Sequence, residues 1–206
     1  MEQFKTVLTS SVGEYEEKRS KFIGVLSHVE SEQEAIEFIN SVREKHREAR
    51  HNVHAFVVKE NGISRFSDDG EPHGTAGKPI LDVIKGFELQ NVCLVVTRYF
   101  GGILLGTGGL CHAYGTAARL ACQSADIVTM KMQKQFVIVC DYQQHNRLIP
   151  FIESCGGNVE DTKFSDNVRV TFSLESPAVN NFVVGLNEMF CGKLNAECIG
   201  EGFSPV

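Results

Sequence analysis

The apolar positions change period along the chain, and each change marks an element. Phe22, Ile23, Val25 and Leu26 anchor a first strand over 21–29. Ser31-Glu32-Gln33-Glu34 then has the form of a capping box, with serine at the N-cap and glutamate three residues on. Ala35, Phe38, Ile39 and Val42 follow at helical spacing, so the pattern predicts a helix running to about His46. Residues 53–59 alternate as a strand, Asn61-Gly62 is a two-residue hairpin signal, and 63–67 returns as the partner strand. Pro79 sits where a second helix begins, with Ile80, Val83, Ile84 and Phe87 on one face. Val92 to Thr97 is nearly all apolar or β-branched, as in a strand covered on both faces. Leu110, Ala113, Tyr114, Ala117, Ala118, Ala121 and Cys122 then recur at the spacing of one helix face, and their small side chains predict close packing on the sheet.

Residues 129–134 are polar and lack a strong pattern, which places a domain boundary there: one domain over 1–130 and a second over 135–206. In the second, Phe136, Ile138, Cys140 and Tyr142 alternate as a strand. A helix follows over 143–155, with Pro150 predicting a kink or a late start and Gly156-Gly157 a stop. Residues 159–164 and 168–174 read as strands, and Pro177 opens a helix with Val179, Phe182, Val183, Leu186 and Phe190 inward. Residues 194–199 read as the last strand. The order β-α-β-β-α-β is the ferredoxin-like split pattern, and the chain as a whole is α+β.

Composition narrows the function classes. The chain has 206 residues, 42% apolar and 22% charged, enough to bury one large core or two small ones. A net charge of −6 gives no global pull toward nucleic acid, so any RNA contact is local and salt-sensitive. Seven cysteines without a C-x-x-C predict reduced thiols in a cytoplasmic protein. The N-terminal residues do not read as a signal peptide, and apolar runs such as 92–96 are far short of a membrane span.

Two segments concentrate glycine with charged or polar groups: 67–79 and 97–110. In the first, Asp68, Asp69, Glu71 and His73 are able to hold a hard cation, but such carboxylates more often cap backbone N–H groups or pair with arginine, here Arg65 or Arg98. In the second, Gly101 and Gly106 have P-loop spacing, yet Thr107 stands in the lysine position, and G-x-G-x-x-G fails at Cys111. A strand, a glycine loop and a helix start still offer N–H groups to a phosphate or carboxylate; the alternative is a tight turn packed against the first loop. Upstream, Arg43, Lys45, Arg47 and Arg50 with His46, His51 and His54, opposed by Glu44 and Glu48, form either a solvated helix end or a small anion- or RNA-backbone patch.

Ser67-Asp68-Asp69-Gly70-Glu71-Pro72, Gly74-Thr75-Ala76-Gly77, Pro79-Ile80-Leu81 and Thr97-Arg98-Tyr99-Phe100-Gly101-Gly102, with Leu105-Gly106 and Gly108-Gly109-Leu110, closely resemble the signature of the YigZ/IMPACT family. His46, Ala49, His51-Asn52 and Ala55 resemble its upstream pattern, and the likeness spans the whole chain. The resemblance implies a left-handed β-α first domain, ribosomal-protein/GHMP-kinase-like, and a ferredoxin-like second domain similar to the terminal domains of elongation factor G. It implies a translation-linked role: eukaryotic relatives restrain an initiation-factor kinase by binding its activator and associate with ribosomes. The family has no agreed catalytic residues, so none is assigned. The chain departs from common members at His73, where a small residue is usual, and at Cys111-His112, where a more basic pair is frequent; the second change weakens phosphate contact at that helix start.

The resulting expectation is a regulator of translation that binds rather than catalyses, without metal or cofactor. Its partners are the ribosome, ribosomal or transfer RNA, or a translation-associated protein, with no membrane and no DNA specificity. Its recognition surface is the exposed loop residues Asp68, Asp69, Glu71, Arg98, Tyr99, Gly101, Gly102, Gly106, Gly108 and Gly109, with phosphate contacts from Arg43, Arg47, Arg50 and His51. Two alternatives remain: an enzyme acting on a small phosphorylated or carboxylated metabolite at the glycine loop, and a protein-binding adaptor. In either case the signature residues have a structural counterpart, in which they only brace the two loops.

Overall fold

The computed structural model describes residues 3–206, Asn61 by its backbone alone. In chain order the elements are β1 (Gln3–Val7), β2 (Ser11–Glu17), β3 (Ser20–His28), α1 (Glu32–Lys45), β4 (His51–Val58), β5 (Ile63–Ser67), α2 (Gly77–Gly86), β6 (Val92–Tyr99) and α3 (Gly106–Gln123). There follow β7 (Ile127–Cys140), α4 (Tyr142–Ser154), β8 (Asn158–Phe164), β9 (Val168–Leu174), α5 (Val179–Phe190) and β10 (Glu197–Pro205). The chain divides into two units, one of Phe4–Thr129 and one of Met130–Val206 together with Gln3.

In the N-terminal unit the sheet order is β2-β3-β6-β4-β5, with every neighbouring pair antiparallel. β6 is the central strand, and its alternation divides two cores. Val92, Leu94 and Val96 pack with residues of α2 and α3, whereas Cys93 and Val95 pack with Ala35, Ile39 and Val42 of α1. That is why the run is apolar without a polar face. The inward face of α3 is the one its spacing predicts, Leu110 through Cys122. Its close approach has a counterpart on the sheet: a Cβ on Gly13 would lie 2.2 Å from the Ala121 nitrogen, and one on Gly24 2.9 Å from the Ala117 carbonyl oxygen. Small residues on the helix and glycines on the strands together set this distance.

Several expectations shift. Two strands, β1 and β2, precede the predicted first one; Ser11 and Gly13 of β2 face α3 behind a strongly charged outer face, which hides the pattern. The Ser31 side chain accepts from the Glu34 N–H, but Glu34 answers to the N–H of Glu30 rather than of Ser31, so the box is displaced by one residue. The β4–β5 hairpin pairs Val58 with Ile63, leaving four loop residues rather than two, because a 3₁₀ turn over 60–62 closes it.

In the C-terminal unit the order β10-β7-β9-β8 is antiparallel throughout. α4 and α5 supply Leu148, Ile152, Phe182, Leu186 and Phe190 to a core with Phe136, Ile138, Val170 and Phe172. The polar stretch 129–134, where the boundary is expected, lies within β7, whose residues 130–137 pair with β10. Tyr142 opens α4 instead of ending β7, because Asp141 caps the helix in a reciprocal box with Gln144. Pro150 lies inside α4, whose end is a Schellman stop at Gly156 and Gly157. The last strand starts at Glu197, later than its apolar residues suggest, since Leu194 joins the core from the preceding loop.

Candidate functional site

The segment between β5 and α2 carries three carboxylates, and each secures a different element. Asp68 accepts from the N–H groups of Gly74 (2.8 Å), Ala76 (3.1 Å) and Gly77 (2.8 Å), tying the loop to the start of α2. Partial burial by itself would raise this carboxyl's pKa, but the three N–H donors, with His73 nearby, hold it below its ordinary value. Asp69, at φ +45°, accepts from Arg43 (2.6 Å) and from the Asn52 N–H (2.6 Å), joining α1 to β4. Glu71 accepts from Arg98 of β6 (2.6 Å) and from the Tyr114 hydroxyl of α3 (2.8 Å). Burial, then the neighbouring Glu71 charge, pushes the Tyr114 phenol well up, so it stays a donor. Arg65, the other arginine expected here, instead reaches Glu32 at 3.2 Å.

β6 delivers the second half of the site. The Thr97 hydroxyl donates to the Asn52 side chain (2.7 Å). The Arg98 guanidinium lies between the rings of Phe22 (5.6 Å) and Phe100 (5.4 Å). The Tyr99 hydroxyl bonds His46 Nδ1 at 2.9 Å. Past the strand, Gly101 is needed for close approach: a Cβ there would lie 2.1 Å from the Arg19 carbonyl. Gly102 and Gly106 hold φ of +83° and +73°. Gly108 faces open space, whereas a Cβ on Gly109 would come 3.0 Å from Leu105 Cβ.

Beside these bonds, the start of β4 and the end of β6 with its glycine loop line a groove of about 590 Å³, formed by Glu48, Arg50, His51, Arg98, Tyr99, Phe100 and Leu104. His51 Nδ1 lies 2.8 Å from the Asp69 carbonyl, which only accepts, so Nδ1 carries the proton and Nε2 is the acceptor of the neutral ring. Phe100 is 54% exposed and Leu104 84%.

This arrangement corrects the expectation of exposure at two of the signature residues. Glu71 is 9% exposed and Arg98 7%, because each is committed to the other. Arg43 is spent on Asp69, whereas Arg47 and Arg50 are exposed and make no ion pair among the described residues. Of the predicted residues, Arg50, His51, Arg98 and Tyr99 are brought together in the groove; Asp68, Asp69 and Glu71 serve as its supports. Sequence reasoning missed Phe100 and singled out only the glycines of the loop that carries Leu104, and it missed Asn52 and Tyr114 as parts of the site. The signal for Phe100 and Leu104 was large apolar side chains inside a glycine loop, where no core demands them. No group of three or more His, Cys, Asp and Glu able to hold a metal ion occurs among the described residues. Among the described residues no helix is long and apolar enough to cross a membrane.

Comparison with known proteins follows the division of the chain. The Impact N-terminal domain model matches residues 18–122, and the model of a domain of unknown function (DUF1949) matches residues 138–193. The chain is 38% identical to the IMPACT family member YvyE of Bacillus subtilis (strain 168), across 85% of this chain and 82% of that protein. It is 35% identical to the IMPACT family member YigZ of Escherichia coli (strain K12), across 89% and 92% respectively. A crystal structure described as that of an hypothetical protein is 33% identical, with a TM-score of 0.63 over 97% of this chain and 98% of that one.

Proposed function

This chain belongs to the IMPACT family, and from that premise we propose that it regulates translation by binding, in association with the ribosome or its RNA. The observation that carries the reading is the groove, where Arg50, without an ion pair among the described residues, lies with His51, Tyr99 and the exposed Phe100, of which His51 is held by Asp69 and Tyr99 by His46. Cations beside aromatic rings are what a protein uses to hold RNA through both its phosphates and its bases. The finer fold assignments belong to the same reading. The order β10-β7-β9-β8 supports a ferredoxin-like C-terminal domain. The sheet with β3 and β4 both antiparallel to β6 between them supports the ribosomal-protein/GHMP-kinase-like N-terminal domain. Free thiols at all seven cysteines support a cytoplasmic location.

Cosedimentation with ribosomes tests the reading. The wild type pellets with ribosomes at low salt and is released at high salt, while the double variant Arg47→Ala/Arg50→Ala pellets less. Absence of the wild type from the ribosome pellet at low salt overturns it. One observation favours a second reading, an enzyme for a small anionic metabolite: the start of α3 has Leu105 at its N-cap, without a side-chain cap. Thermal shift against nucleotides and divalent metals tests that alternative, and a flat response removes it.

A further inference from the structure

Phe100 presents its two faces differently. The Arg98 guanidinium occupies one, 5.4 Å from the ring centre, while the residue as a whole is 54% exposed and lines the groove. Beneath it Arg98 is only partly used: one terminal nitrogen is bound to Glu71, and Nε, buried, has no hydrogen-bond partner among the described residues. A buried donor left unpaired is unfavourable, so Arg98 has hydrogen-bonding capacity that the protein does not use. At the groove wall Arg50 makes no ion pair among the described residues, and His51, held by Asp69, carries its acceptor on Nε2. The charges nearly cancel: Arg98 is neutralised by Glu71, and Glu48 offsets Arg50. A site of this kind gains little from a dense run of phosphates. It gains from one planar ring with N–H donors at its edge and one flanking anionic group.

We propose that the groove seats a single unpaired nucleotide of an RNA strand. This rests on the RNA-binding reading above and narrows it. The base lies on the open face of Phe100, an N–H of its edge donates to His51 Nε2, and Arg50 meets one adjoining phosphate. A duplex, whose bases are already stacked and paired, has no free ring to offer, so the site selects single strands.

The test is fluorescence anisotropy with a labelled twelve-nucleotide oligouridine, competed by the same strand as a duplex, beside ribosome cosedimentation of the same preparations. The single strand binds and the duplex competes poorly. Phe100→Ala weakens binding by about tenfold or more, and Phe100→Trp restores it, since stacking tolerates any flat ring. The salt slope is shallow, and Arg50→Ala reduces it by about 0.7, the share of one single-strand phosphate. Equal binding by Phe100→Ala, equal competition by the duplex, or no oligonucleotide binding by a wild type that pellets with ribosomes each overturns the proposal while leaving the translation reading intact. Oligonucleotide binding without ribosome association does the reverse. Should Phe100→Ala fail to fold, duplex competition and the Arg50→Ala slope decide it.

Discussion

The acidic loop before α2 and the glycine loop after β6 look alike in sequence, and they are used in opposite ways. In the acidic loop nearly every charge is spent inside the protein: Asp68 on backbone donors, Asp69 on Arg43 and Asn52, Glu71 on Arg98 and Tyr114. In the glycine loop Phe100, Ile103 and Leu104 stay open to solvent, and the turn is held by backbone conformation at Gly102 and Gly106. Charge in a loop therefore marks support here, and exposed apolar side chains mark the surface left available.

Four substitutions press on that contrast. Glu71→Gln strands the buried Arg98 charge and should cost about 3–5 kcal/mol, read as a lower urea midpoint. A midpoint unchanged from wild type would return Glu71 to the list of free recognition residues. Gly101→Ala forces a methyl into the Arg19 backbone and should cost about 1–3 kcal/mol by the same measurement, with the loop displaced rather than merely less flexible. Asp68→Asn removes a charged cap and should cost about 0.5–2 kcal/mol at neutral pH. Because the folded Asp68 pKa is depressed, its contribution is present above the ordinary carboxylate range and is lost as pH falls through the folded value. The difference between wild type and Asp68→Asn should therefore shrink on acidification, and a constant gap would show that the charge is irrelevant. Leu104→Ser, at the open end of the contrast, should shift stability by less than about 0.5 kcal/mol.

The sequence made the α3 face legible to the last residue, and β6 as a strand covered twice, because in both the apolar pattern is unbroken by function. It could not show β2, whose outward glutamates mask a face of serine and glycine set against α3, nor that 129–134 lies within a strand, since a polar stretch gains its order only from the β10 partner. At the site, the alternative uses of the carboxylates were legible but not which arginine each would meet: Arg65 and Arg98 are equivalent in composition, and only the register of β5 against β4 and of β6 against β3 separates them. The helical spacing places Tyr114 in the core, where it lies, but says nothing of its hydroxyl, which meets Glu71 only because α3 and the acidic loop are brought together by the fold.

Two of the three carboxylates also bear on the order in which the N-terminal unit comes together. Glu71 must wait for residues 27 and 43 positions downstream, and Asp69 for one 26 positions upstream. Contacts so distant along the chain close late, after loops have been drawn in against their entropy. A late lock adds little to the speed of folding and acts chiefly on the rate of escape, so the loop serves as a latch that lengthens the native lifetime of the unit. The Glu71→Gln variant would reveal it in stopped-flow traces as a steeply faster unfolding phase beside an almost unaltered refolding phase.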